Sequence, residues 1–205
     1  MQNTFLGNLN WRYAVKGFDT TKKVSVDDLQ KIKDAIRMTP SSFGLQPYHC
    51  IIITDEKLKA DIKAASFGQG QIDSASHLFV FISNTDMQGR ASQFCDLVER
   101  KSQGVFDRVK QEATMRAFAV LLDANGKRKW ATEQTHIAAG FALAACTELS
   151  IDSCPVGGFS ADKVKEILKL SPNQNVEMLL PIGYRLEDPK YNKVRFGEDD
   201  LFENR

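Results

Sequence analysis

The sequence predicts an α+β protein. Three observations lead there: a mostly helical first half, a segment from Trp130 to Leu149 that is apolar or small on nearly every side, and a few separated apolar runs that form no regular strand–helix–strand series. At 205 residues with 42% hydrophobic residues, the chain can bury a sizeable core, and one domain over 1–205 is expected.

The elements follow in order. Ser25 with Asp28 makes a shortened capping signal, and Leu29, Ile32, Ala35 and Ile36 then recur at helical spacing up to Pro40, which predicts a helix over 26–38. His49 to Ile53 is a β-branched run, closed by Thr54-Asp55-Glu56, the cap and first turn of another helix. Leu78 to Ile82 is continuously apolar and belongs in the middle of a sheet, covered on both faces. The segment 130–149 reads as a central helix with little solvent-facing surface. Ser160 caps an amphipathic helix through Val164, Ile167 and Leu168, Val176 to Ile182 is the last core strand, and the tail from Tyr184 is polar and extended.

Composition excludes several classes of function. The 27 basic and 26 acidic residues nearly cancel, so no overall field draws the chain to nucleic acid or a membrane surface. Cys50, Cys95, Cys146 and Cys154 form no C-x-x-C pair and do not partner His49, His77 or His136 at metal spacing, so reduced thiols and no metal site are expected. Neither a cationic leader with an apolar run nor a membrane-length apolar stretch is present, and the location expected is cytoplasmic.

Several segments could carry chemistry. Arg12 and Lys16, four apart, share a face if Trp11 to Lys16 is helical, and Lys193 and Arg195 share a side if their segment is extended. Each pair alone is ordinarily a solvated face. Pro40-Ser41-Ser42-Phe43-Gly44-Leu45-Gln46-Pro47 is a loop fixed by two prolines and a glycine, fit either to hold a ligand or to cap its own backbone. Gly68-Gln69-Gly70-Gln71 lacks the third glycine of a dinucleotide fingerprint and precedes a strand rather than following one, which rules out a Rossmann site. Cys154-Pro155-Val156-Gly157-Gly158-Phe159 is either a tight turn or a strip that lets a ligand approach the backbone. The histidines stand at no interval that suggests a triad. Phe67, Phe106, Phe118 and Trp130 are core residues or pocket walls.

Taken in order, W-R-Y-A-V-K-G-F-D, P-S-S-F-G-L-Q-P-Y-H, Q-G-Q-I-D-S-A-S-H-L, C-P-V-G-G-F and K-V-R resemble the FMN-dependent nitroreductase family from end to end, closest to its oxygen-insensitive NAD(P)H nitroreductase and dihydropteridine reductase branch. The resemblance implies a mixed central sheet surrounded by helices, with a C-terminal extension reaching the partner of a homodimer. It implies FMN gripped at its phosphate and ribityl chain by Arg12, Lys16, Lys193 and Arg195. Pro40, Ser41, Ser42, Gln46 and Pro47 would border the flavin across the dimer interface, Gln69 and Gln71 would meet its pyrimidine edge, and Pro155, Val156, Gly157 and Gly158 would face its central nitrogen.

Three departures stand out: Tyr13, followed by Ala14, stands after the first Arg where His or Ser is frequent, Gln71 replaces a common Lys, and Gly157 replaces a frequent Glu. The activity implied is ping-pong hydride transfer from NAD(P)H to a small acceptor, a nitroaromatic or quinone, with no side chain acting covalently. Reduced flavin carries negative charge near N1, and Lys16 is the cation placed to stabilise it. The alternatives are an FMN-storing or redox-sensing protein, or a family member with another flavin reaction such as reductive dehalogenation.

Overall fold

In the computed structural model, which describes residues 4–101 and 107–205, four strands form one sheet in the order β1-β2-β4-β3: β1 (Tyr48–Ile53), β2 (His77–Asn84), β3 (Asp152–Ser153) and β4 (Gln174–Gly183). All three strand pairs are antiparallel, so the expected mixed sheet narrows to one parallel contact among the described residues, the isolated bridge Ala14–Ser153. The helices are α1 (Phe5–Asn8), α2 (Val26–Arg37), α3 (Glu56–Ala64), α4 (Gly70–Asp73), α5 (Met87–Lys101), α6 (Arg108–Leu121), α7 (Ala124–Glu148), α8 (Ala161–Ile167) and α9 (Glu198–Leu201).

β2 explains why its sequence is apolar without alternation. Phe79 and Phe81 point into a core shared with α2 and α7, while Leu78, Val80 and Ile82 point into a second core on the opposite face, built with Ile62 of α3 and Val164 of α8. All five β2 residues are fully buried, as expected of an inner strand covered on both sides. Between Phe81 and Ile82 the register with β4 slips past Glu177, whose carboxylate takes a 2.6 Å hydrogen bond from Ser83 and pairs with Arg128.

The caps fall where the sequence places them. Ser25 Oγ accepts from Asp28 N at 3.1 Å, and Asp55 Oδ1 from Leu58 N at 2.7 Å. Ser160 stands at the N-cap of α8, but its hydroxyl makes no capping bond. Helices α5 and α6 are not among the sequence-predicted elements. They pack on each other around Cys95 and Met115 and are laced by Arg108 with Asp96, Glu99 and Glu112.

The condition under which Arg12 and Lys16 would share a helix face is not met, and one expectation about the tail is corrected. Trp11 lies in a turn, Ala14 pairs with β3 and Lys16 sits at a bend, yet Arg12 and Lys16 both act on the Cys154 thiol. The polar tail contains one helical turn, α9. Helix α7 begins earlier than expected, at an Asp123 cap, and has a solvent stripe: Glu133, His136, Ile137, Gly140 and Phe141 are exposed at i, i+3, i+4, i+7 and i+8. Among the described residues, no helix is long and apolar enough to cross a membrane.

Candidate functional site

The site is built at the free side of β3, where the N-terminal and C-terminal segments meet. Arg12 N donates to Asn8 O at 2.9 Å, Asn8 is buried with its amide on Thr147 O of α7, and Lys193 Nζ donates to Leu9 O. Gly17 O and Tyr184 O accept from Leu186 N and Asp19 N, which staples the two segments side by side. Gly183 permits this: a Cβ there would lie 2.9 Å from the Phe18 ring, whose own burial anchors the N-terminal segment.

On this frame four cations converge. Burial and the nearby Arg12 and Arg195 hold Lys193 below the ordinary lysine range. Among the described residues, none of Arg12, Lys16, Lys193 or Arg195 enters an ion pair with a carboxylate. Arg12 Nη1 is buried and has no hydrogen-bond partner among the described residues. A desolvated guanidinium nitrogen beside other cations is costly unless an anion completes it.

Next to the cations lies a layer of amides and a thiol. Lys16 Nζ stands 3.9 Å from Cys154 Sγ, and burial raises the thiol while the lysine opposes the shift. Gln71 is buried and donates to Gln69 Oε1 at 2.8 Å; Gln69 in turn donates to Gly158 O at 2.6 Å and Ser66 O at 3.0 Å. Both amide hydrogens of Gln69 are therefore committed within the chain. Pro155 is half-buried, Val156 buried by its bridge to Leu179, and Gly157 open, with nothing within 4 Å of a Cβ built on it. A cavity of about 400 Å3 lies on the flank of this cluster, lined by Tyr13, Val15, Lys16 and Gly17 on one side and the segment 186–191 on the other.

The Pro40–Pro47 loop is not part of this cluster. Ser42 N donates to Gln134 Oε1 of α7, Ser41 Oγ accepts from Gln46 N, and Arg90 of α5 donates to the carbonyls of Leu45 and Gln46. The loop leads into Tyr48 of β1, at the opposite edge and opposite end of the sheet from Ser153. Three strand spacings and about six residues of rise separate those corners by roughly 25 Å. Of the five non-glycine residues with positive φ among the described residues, Phe43 and Gln46 fall in the Pro40–Pro47 loop and Phe67 directly precedes Gly68-Gln69-Gly70-Gln71; Ser150 and Lys169 merely end α7 and α8.

Of the aromatic candidates, Phe67 is exposed, Phe118 packs 5.2 Å from Phe43 and 6.1 Å from Trp130, and Phe106 lies outside the described residues. His136 is exposed and His49 and His77 are half-buried, the last two shifted down chiefly by burial. Sequence reasoning missed Asp152 and Arg185. A carboxylate inside the apolar run Ile151 to Val156 was the available signal, since a charge buried there needs a partner.

Comparisons with known proteins agree with this architecture. The model of the Nitroreductase family matches residues 9–184, a span that holds Arg12, Lys16 and the loops but stops short of Lys193 and Arg195. A candidate NAD(P)H nitroreductase of Staphylococcus epidermidis is 34% identical over 98% of this chain and 96% of its own. A solved candidate NAD(P)H:FMN oxidoreductase of the same species superposes with a TM-score of 0.90 at 21% identity, covering 99% of this chain and 96% of the other. A candidate nitroreductase from Exiguobacterium sibiricum, solved in complex with FMN, gives 0.87 at 20% identity, covering 98% and 97%.

Proposed function

Because the chain belongs to the nitroreductase family, an oxidoreductase family, we propose that it is a single-domain, FMN-dependent NAD(P)H oxidoreductase acting on nitroaromatics, quinones or similar small acceptors. The observation that carries this reading is the buried, unpartnered Nη1 of Arg12 beside Lys193 and Arg195, with Lys16 across Cys154, a set of donors that no acid among the described residues satisfies. A phosphomonoester dianion is the chemistry that fits: several charge-assisted bonds to one small anion, and compensation for the burial and the mutual repulsion that together hold Lys193 low.

Bound there, FMN would supply the hydride chemistry, accepting from NAD(P)H and delivering to the acceptor. The chain's own residues bind and tune. Arg12, Lys193 and Arg195 hold the phosphate. Lys16, which like Arg12 lies by Cys154, presents its ammonium to the ring edge and favours negative charge there. Gln71, Tyr13 and Ala14 border the ring, Gln69 buttresses Gln71, and the open backbone at Gly157 and Gly158 leaves N–H groups for the central nitrogen. No side chain acts as a nucleophile.

The Pro40–Pro47 loop reaches such a ring only from a second copy, since about 25 Å separates it from the cluster within one chain. The reading is therefore a homodimer with two composite sites, packed through the exposed stripe of α7 around Ile137, Gly140 and Phe141. Pro40, Ser41, Ser42, Gln46 and Pro47 are its contribution from across the interface.

Purification and flavin analysis test this directly. The protein should be yellow, release about one FMN per chain on denaturation as one phosphate for one cation cluster requires, and oxidise NAD(P)H anaerobically with a nitrofuran or quinone. Arg195→Ala should bind FMN markedly less. A colourless protein that takes up no FMN on titration ends the reading; FMN without turnover moves it to flavin storage or sensing.

A further inference from the structure

One buried ion pair next to the cation cluster takes no part in the chemistry proposed above. Asp152 on β3 is 3% exposed and accepts two hydrogen bonds from Arg185, from its backbone N at 2.8 Å and from Nε at 2.9 Å, and its carboxylate also lies 2.6 Å from Nη2 as an ion pair. The same Nη2 donates to Trp11 O at 3.2 Å, and the guanidinium lies over the Trp11 ring, 4.7 Å from its centroid. We propose that Asp152 and Arg185 are positioning residues that fix the direction of Arg12 toward the phosphate of the cofactor, an inference that rests on the phosphate reading above.

The argument turns on one peptide plane. The Trp11 carbonyl and the Arg12 N–H belong to the same rigid, planar amide. Arg185 holds its oxygen, and Asn8 O accepts from its nitrogen at 2.9 Å. With both ends tied, the plane cannot rotate, and the direction in which the Arg12 side chain leaves the backbone is restricted. Arg185 is itself prevented from turning by the carboxylate of Asp152, because a guanidinium presents its donors in a fixed fork and cannot satisfy Asp152 and Trp11 in another orientation.

Stability alone does not call for this pair. Buried ion pairs are commonly matched or exceeded in stability by apolar residues of similar volume, and the use best attested for them is the specification of geometry. Here the geometry specified is that of the residue whose Nη1 lacks a partner. Asp188, 3.6 Å from Arg185 Nη1 and almost fully exposed, adds little.

The experiment compares the affinities of the flavin-stripped full chain for FMN and for riboflavin, which lacks the phosphate, by titration of flavin fluorescence. Arg12→Ala should collapse the preference for FMN. Asp152→Asn should lower the FMN-to-riboflavin affinity ratio by about tenfold, a change of some 1.4 kcal/mol, while leaving riboflavin affinity unchanged. Arg185→Lys should do likewise, because lysine keeps a charge for Asp152 but loses the second donor to Trp11 O and the flat face over its ring. It carries the test by itself if Asp152→Asn fails to fold. In an Arg12→Ala background both changes should leave the ratio where it is.

If Arg12→Ala lowers the ratio but the other two variants weaken both flavins equally, or lower only the melting temperature, the pair is structural and the proposal is overturned. If Arg12→Ala itself leaves the ratio unchanged, the phosphate reading fails and takes the proposal with it.

Discussion

Replacing Phe141 by Asp should separate the proposed dimer without unfolding the chain. Phe141 is 39% exposed on the α7 stripe, so of roughly 200 Å2 of phenylalanine surface about 80 Å2 awaits a partner. At about 25 cal/mol per Å2 that is ~2 kcal/mol per copy, and in a two-fold interface the residue counts twice, giving ~4 kcal/mol or a factor of about 1,000 in the dimer dissociation constant. A carboxylate desolvated at the same spot adds to the loss. Within one chain the change falls on a surface position of a helix, where the difference in helix propensity is only about 0.5 kcal/mol. Sedimentation velocity over a dilution series, read together with flavin absorbance, should show monomers that have lost their flavin but keep their helical circular dichroism. A variant that stays dimeric refutes the interface, and a monomer with full FMN occupancy refutes the composite site.

Other perturbations reach other parts of the reading. Lys16→Met should lower the midpoint potential of bound flavin by at least about 30 mV, the two-electron equivalent of ~1.4 kcal/mol, and slow reduction by NAD(P)H but not reoxidation; an unchanged potential at full occupancy in a redox titration would reduce Lys16 to a phosphate or surface residue. Gly157→Glu, which restores the residue frequent in the resembled family, should change stability by no more than about 0.5 kcal/mol in urea denaturation, because the position is exposed and its Cβ meets nothing within 4 Å. Stability should fall as pH rises from about 9 toward 12. Burial pushes the Cys50 and Cys146 thiols up to about 12 from 9.0, so in that window the folded chain keeps protons that the unfolded chain has lost. The thiol contribution is complete below the unfolded value and gone above the folded one. Urea midpoints against pH check this, and Cys146→Ala should flatten the slope.

How much of this was legible in the sequence differs from element to element. Helix α2, strands β1, β2 and β4 and the caps at Ser25 and Asp55 were readable because their signals are local: a hydroxyl or carboxylate before an apolar repeat, or a run whose length matches a strand. Arg12 and Lys16 reach the same thiol, Cys154, although the segment between them is not the helix in which a spacing of four means one face, because a separation of four is also even and so returns to one side where the chain runs straight. The family, too, was legible as an ordered set of short motifs, each weak alone.

What the tertiary structure decided concerns residues whose meaning depends on partners far along the chain. Nothing near Asp152 in sequence announces Arg185, 33 positions away, or that their pair ends on Trp11, 174 positions from Arg185. The solvent stripe of α7 was invisible because alanine, glycine and isoleucine serve a core and an interface equally well, and only the placement of α2 and the sheet shows which side they leave open. The sequence likewise offered two cation pairs and several loops as separate, individually ordinary features. The antiparallel order β1-β2-β4-β3 then brought both cation pairs to one edge and sent the Pro40–Pro47 loop to the opposite corner. Local chemistry is written in neighbouring residues, but the distance between two segments is set by how the strands between them pair, and that pairing is a property of the packed chain as a whole.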